Sequence, residues 1–208
     1  MVKIREMPYS EKYASILDYT KLLETFVLFL IKKHLGVEGV TALQEIWQKK
    51  LQPVLEDASI RGRYEVAYRN WVMKRASALD FIRYHLGEDG VKEFIREDVK
   101  VLKRKSSSPA SFLLKIVRKF SHKFVFRAIA KRMAYQLQIC IPYTITELTR
   151  RRLVITLPHC KVLDFQGGED ACVISCQIIY STWLNEQFKM KMRSEREGKS
   201  CKITITPL

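Results

Sequence analysis

The residues best equipped for chemistry sit in the C-terminal third: His159-Cys160, Cys172, Cys176 and Cys201. Thiolates and imidazole are zinc ligands, and the Cys172-x-x-x-Cys176 spacing puts two sulfurs one helical turn apart on one face. Zinc ribbons usually carry two tight cysteine pairs, whereas Cys160 and Cys201 stand alone. Zinc on Cys172, Cys176, Cys201 and His159 is therefore one reading, and cysteines packed as small hydrophobes are the other. A neighbouring histidine also lowers a thiol pKa and makes a nucleophile. Adjacent strand residues face opposite ways, however, so a thiol-dependent hydrolase would need His159 to meet Cys176 or Cys201 in space.

Charge supplies a second kind of chemistry. The chain of 208 residues has a formal net charge of +15. From Val99 to Arg152 there are 14 Lys or Arg against the single acid Glu147, so nearly all the excess is local. Within that stretch Lys103, Arg104, Lys105, Lys115, Arg118, Lys119, Lys123, Arg150, Arg151 and Arg152 are the candidate polyanion contacts. Clustered cations of this kind suit an anionic membrane surface, an acidic protein or a nucleic acid, the last ranking below the others. A solvated basic face is the alternative.

The elements that would position these groups follow from periodicity. Apolar residues recur at helical spacing over 12–35 and 40–57, as in Ile16, Tyr19, Leu22, Leu23, Phe26, Val27 and Leu30. The pattern His-Leu-Gly-x-x-Gly-Val occurs twice, at His34–Val40 and His85–Val91. Glycine at a helix end with histidine in the last turn marks a stop and restart, so each copy predicts a helix corner, and the two together suggest a duplicated helical hairpin. Lys103–Pro109 predicts an exposed basic loop. Ser111–Leu137 reads as a basic amphipathic helix with Phe112, Leu113, Ile116, Val117, Phe120, Phe124 and Ile129 on its apolar side.

Past Pro142 the text turns β-rich. Tyr143–Leu148 and Leu153–Leu157 predict strands, Glu169–Glu186 a buried helix, and Phe188–Arg193 with Cys201–Thr206 a terminal hairpin around Glu197-Gly198-Lys199. The expectation is an α+β fold: a helical N-terminal region, then an antiparallel sheet of three to five strands packed against helices. Residues 1–105 would be the helical part and 106–208 an α+β ligand-binding-like part, the two joined as one continuous domain.

Several classes drop out. The chain has no Gly-rich phosphate loop ending in Lys-Ser/Thr, no Gly-x-Ser-x-Gly elbow, no His-Glu-x-x-His and no dinucleotide fingerprint. Phe26–Ile31 is far shorter than the roughly 20 apolar residues needed to span a bilayer. Met1–Tyr13 lacks an apolar core and does not read as a secretory signal. Five scattered cysteines then point to free thiols in a cytoplasmic protein.

Leu153-Val-Ile-Thr-Leu-Pro-His-Cys160, the helix-like run carrying Cys176, and Glu197-Gly198-Lys-Ser-Cys201-Lys-Ile203 follow one another in an order that resembles the aminothiazoline-carboxylate hydrolase-like family. That family is related to the four-vinyl-reductase ligand-binding domain and the synbindin-type, TRAPP-like fold. The likeness covers roughly residues 110–208. Gln177–Tyr180 stand where the hydrolase-like proteins carry an acid, and Met190 and Arg193 where the vinyl-reductase domains carry Glu-x-x-Cys. The resemblance implies a pocket for a small apolar or aromatic molecule, with Cys160, Cys176, Cys201, His159 and Tyr180 as site candidates. A hydrolase acting on a small amide or thiazoline is its enzymatic alternative. Pairing with a second copy of the chain stays open.

Overall fold

A computed structural model describes residues 4–106, 122–139, 143–165 and 167–208. It is α+β, as expected. Two long helical elements, α1 (Tyr9–Lys50) and α2 (Ile60–Ser106), are followed by α3 (His122–Leu137), β1 (Thr144–Leu148) and β2 (Leu153–Leu157). A 3-10 turn at Lys161–Asp164 leads to α4 (Gly168–Cys172), a π-helical stretch Val173–Tyr180 and α5 (Ser181–Phe188). The hairpin β3 (Met190–Glu197) and β4 (Ser200–Pro207) closes the chain. Among the described residues, no helix is long and apolar enough to cross a membrane.

The chain divides into two compact units. A helix unit comprises Pro8–Asp98 and Val162–Ile174, and a sheet unit comprises Met1–Met7, Val99–Lys161 and Ser175–Leu208.

In the helix unit, α1 and α2 each bend at a glycine: Gly36 has φ 69° and ψ −161°, and Gly87 has φ 63° and ψ −160°. Both belong to the repeated His-Leu-Gly motif, so the two corners are copies in conformation as well as in text. The core gathers Leu23, Val27, Leu30, Ile31 and Leu43 of α1 with Val72, Leu79, Ile82 and Phe94 of α2. The Phe26 and Phe94 rings meet at 5.2 Å, and the Trp47 indole N–H donates to the Lys74 carbonyl at 3.2 Å. Lys33 and His34, just before the first corner, both reach Glu93, at 2.8 and 2.9 Å. The Lys33 ammonium, with help from His34 and against partial burial, holds the Glu93 carboxyl below its ordinary value of 4.5. α1 stops at Lys50 rather than running on to residue 57. Leu51 is extended (φ −85°, ψ 150°), and Pro53 disfavours helical geometry at Gln52.

In the sheet unit the four strands are ordered β1-β2-β4-β3, all antiparallel. Leu153, Ile155 and Leu157 of β2 and Cys201, Ile203 and Ile205 of β4 point into the core, and α3 packs against β1 and β4 while α5 packs against β3. Phe126, Ile129, Ala130 and Ala134 form the buried side of α3. The Tyr143 hydroxyl donates to the Ala134 carbonyl and ties the end of α3 to the start of β1. Burial pushes that phenol up to about 12. Gln138 clips the N-terminal segment in place, accepting from the Met7 N–H and donating to the Arg5 carbonyl.

The Glu169–Glu186 run is helical, as its composition predicts, but its middle is π rather than α. A short apolar run does not distinguish the two by period. Of the expected Ser111–Leu137 helix, the described part is α3; Phe112, Leu113, Ile116, Val117 and Phe120 lie outside the described residues, as does the side chain of Phe124.

Candidate functional site

The cysteines are placed as follows. The strand leading to Cys160 ends at Leu157, and the Cys160 N–H donates to the Lys199 carbonyl at 2.8 Å, which sets Cys160 beside the strand of Cys201. Cys160 is 3% exposed and Cys201 is also buried, while His159, next to Cys160, is exposed. Cys172 ends α4 in the helix unit, and Cys176, half-buried, lies on the π-helical stretch. None of the four is in a disulfide. Among the described residues no three His, Cys, Asp or Glu side chains gather as they would around a metal ion. Tyr180 is half-buried, its ring set edge-on to Trp183 at 6.2 Å.

The basic residues are distributed far less evenly than the thiols. By sequence the sheet unit holds 23 Lys or Arg against five Asp or Glu, a formal +18, and the helix unit 14 against 17, a formal −3. Within the sheet unit six cations, Arg150, Arg151, Arg152, Lys189, Lys191 and Arg193, lie at one end of the sheet.

That end is organised by the β1–β2 turn. The Thr149 N–H donates to the Arg152 carbonyl at 2.9 Å, and the Thr149 hydroxyl oxygen accepts from the N–H groups of Arg151 and Arg152 at 3.2 and 3.0 Å. A threonine side chain that satisfies two turn amides makes a pre-set turn. The consequence is three consecutive exposed arginines on a hydrogen-bonded turn. Arg152 approaches Glu147 at 3.7 Å. Arg150 and Arg151 have no acidic partner among the described residues.

The register brings further cations to the same end. Leu153 pairs with Ile205 and Ile205 with Met192, so Lys191 and Arg193 of β3 lie level with the start of β2. Both are exposed and alternate with Met190 and Met192, so they leave the sheet on the side away from the core. Arg152, one residue before the inward-facing Leu153, shares that side. With β4 lying between β2 and β3, the two lines of cations are about 10 Å apart, two strand spacings. Lys189 is exposed here too, in a left-handed conformation with its carbonyl accepting the Leu208 N–H. The other end of the sheet is mixed: Glu195 stands across from Lys202, and Glu197 ends β3.

α3 adds Arg127, Lys131 and Arg132, all exposed and none with an acidic partner among the described residues. The helix contains no acid. Its described apolar side chains Phe126, Ile129, Ala130 and Ala134 are taken up by the core. Lys103, in contrast, is drawn to Glu186 on α5, and Lys103, Arg104 and Lys105 form the last turn of α2, where cations balance the negative helix end. Lys115, Arg118 and Lys119 lie outside the described residues, as does the side chain of Lys123.

Arg150–Arg152 are conspicuous in the sequence; Lys189, Lys191 and Arg193 are not. Their only signal is period-two alternation in β3. That shows which side of the sheet they leave, but the strand order is needed to know which end they join.

No family model matches the chain, and no curated protein does. Similar solved structures include the Fe(II) unliganded H-NOX protein from K. algicida, with 12% identity over 88% of this chain and 94% of that one, at a TM-score of 0.36. A single-residue mutant of that protein aligns with 14% identity over 89% and 94%, also at 0.36. These findings correct the resemblance drawn from the cysteine motifs. Neither the aminothiazoline-carboxylate hydrolase-like family nor the vinyl-reductase or TRAPP-like folds is matched. The physical reason lies in the motif, whose points are a β-branched strand, a buried cysteine and a glycine turn. Any antiparallel hairpin with a small apolar residue facing the core satisfies them.

Proposed function

We propose that the chain is a binding protein whose sheet unit docks on a phosphate-bearing polyanion through the cationic sheet end. The observation that carries this reading is the hydrogen-bonded β1–β2 turn, which presents Arg150, Arg151 and Arg152 level with Lys191 and Arg193. A merely solvated basic face is usually interspersed with acids, as the opposite end of this sheet is. An end with so little acid repels itself, and an external counter-charge relieves that repulsion. Arginine dominates the turn, and its planar fork matches phosphate oxygens in pairs.

Inorganic polyphosphate, which carries phosphate without bases or lipid, is the direct probe. The full chain is expected to bind it with an affinity that falls log-linearly with salt. Arg150→Ala/Arg151→Ala/Arg152→Ala should reduce the slope of that dependence by about one for each phosphate that the arginines neutralise. Binding that these changes leave untouched would remove the proposal.

A second reading, a site for a small apolar molecule beside Cys176, is favoured by one observation. The π-helical stretch is eight residues long, and π-turns are rare and concentrate at functional positions. It carries the half-buried Cys176 and leaves Ile178 38% exposed. Native mass spectrometry of freshly purified chain is expected to show a retained small molecule that Cys176→Trp eliminates. A bare mass for the unsubstituted chain would end this reading.

A further inference from the structure

We infer that the polyanion is a nucleic-acid duplex, gripped by its two phosphate rows without readout of the bases. The inference rests on the phosphate-binding reading above and adds the identity of the partner.

Three features of the sheet end point there. The first is spacing. The turn arginines form one line of positive charge, and Lys191 with Arg193 forms a second, about 10 Å away across β4. A duplex offers two phosphate rows flanking grooves about 6 and 12 Å wide, so two lines of long cationic side chains can each take one row. A single strand offers only one row. A lipid surface fixes no spacing at all.

The second feature is side-chain type. The five residues that form the two lines are Arg or Lys, and the residues between them on the outer side of β4 are Thr204 and Thr206. Single-strand binders add aromatic platforms for the bases. The described aromatic cluster of the sheet unit is already engaged: Tyr180 packs edge-on to Trp183, and Trp183 edge-on to Phe188 at 5.3 Å. Asn and Gln, which read adenine edges, are absent from both lines. Contacts of this type position a protein on a duplex and carry no sequence information.

The third feature separates a duplex from a membrane. Among the described residues of the sheet unit, the large hydrophobic side chains left exposed are Ile178 and Leu208. Neither belongs to the two cationic lines, although Leu208 ends the chain beside Lys189, and Phe126, Ile129, Ala130 and Ala134 of α3 are buried. Interfacial binding draws its strength from buried apolar area together with charge, and among the described residues this surface sets many charges beside a single exposed apolar side chain, Leu208.

The test uses the full chain and three fluorescent probes at matched phosphate concentration: a mixed-sequence duplex of about 20 base pairs, one of its single strands, and vesicles of phosphatidylserine in phosphatidylcholine. The duplex is expected to bind at least about ten-fold more tightly than the strand or the vesicles, with equal affinity for a second, unrelated duplex sequence. Arg150→Ala/Arg151→Ala/Arg152→Ala and Lys191→Ala/Arg193→Ala should each lower the salt slope, by about one for every phosphate left without its cation, and the two sets should add. All five side chains are exposed, and an unchanged circular dichroism melt shows that each variant is folded. Equal or tighter binding of the strand or the vesicles, or sequence preference among duplexes, overturns the duplex inference while the polyphosphate result still stands. Failure of all three probes together with polyphosphate overturns both.

Discussion

Truncating Asp98 to alanine is expected to cost the helix unit about 3–5 kcal/mol, the usual loss when one member of a buried ion pair is removed. Asp98 and Arg75 are 7% and 6% exposed, and the Arg75 guanidinium donates to the Asp98 carboxylate at 2.5 Å. That guanidinium also lies over the Phe94 ring at 5.3 Å and the Trp71 ring at 5.9 Å. Trp71 and Arg75 belong to the leg of α2 before the Gly87 corner, and Phe94 and Asp98 to the leg after it. The pair therefore clamps one leg of the bent helix to the other. Without Asp98, the buried guanidinium loses its carboxylate at 2.5 Å. Urea denaturation read by circular dichroism measures the loss as a shift in midpoint. The double variant Arg75→Met/Asp98→Leu should regain most of the stability, because removing both charges also removes the cost of desolvating them. A loss below about 1 kcal/mol for Asp98→Ala would mean that the clamp contributes little.

Nothing in the text of α2 marks this pair. Arg75 and Asp98 are 23 positions apart, on either side of a corner, and each reads as one more charge on a solvated face. Legibility elsewhere depends on how local the cause is. The corners at Gly36 and Gly87 are readable because a helix stop is written in a few adjacent residues. The first two strands are readable from β-rich text, and the terminal hairpin from alternation and its Glu197-Gly198 turn, where Gly198 takes φ 56°. The strand order is not readable. Placing β4 between β2 and β3 depends on which apolar faces pack best in three dimensions, and that order is what turns Arg150–Arg152, Lys191 and Arg193 into one surface. The thiols are ambiguous in sequence for the converse reason. Cys160 and Cys201 are drawn inward by ordinary burial, and burial looks the same in sequence whether or not it serves a site.

The charge division has a physical consequence for how the units tolerate salt. In the sheet unit the formal +18 opposes compaction, and added salt screens that repulsion. In the helix unit the cations Lys33, Lys74, Arg75 and Arg83 are matched to Glu93, Glu24, Asp98 and Asp170. Salt screens the exposed pairs among these, so there it weakens attraction rather than relieving repulsion. Affinity for an external polyanion and self-repulsion thus arise from the same residues.

Replacing either corner glycine by alanine is expected to destabilise the helix unit by about 1–3 kcal/mol, and by nearly the same amount at the two positions. The cause is conformational rather than steric. A Cβ at Gly36 or Gly87 would meet nothing within 4 Å. Both residues, however, combine a positive φ with ψ near −160°, a region open essentially to glycine alone. Three residues on, the cause reverses. Gly39 and Gly90 lie within the restarted helices, and a Cβ there would come within 2.5 and 2.4 Å of the Cβ atoms of Leu35 and Leu86. Those atoms are fixed to the backbone and cannot swing away, so Gly39→Ala and Gly90→Ala should cost about 1–3 kcal/mol through overpacking. A D-alanine placed at position 36 or 87 by chemical synthesis separates the two mechanisms, since it accepts positive φ and should restore most of the stability that L-alanine removes. At 39 or 90 the D-residue should restore none. Equal losses at 36 and 87 with D-alanine rescue would show that the two motifs are one structural device used twice. Unequal losses, or the absence of rescue, would show that their likeness in sequence and dihedral angles is not matched in energy.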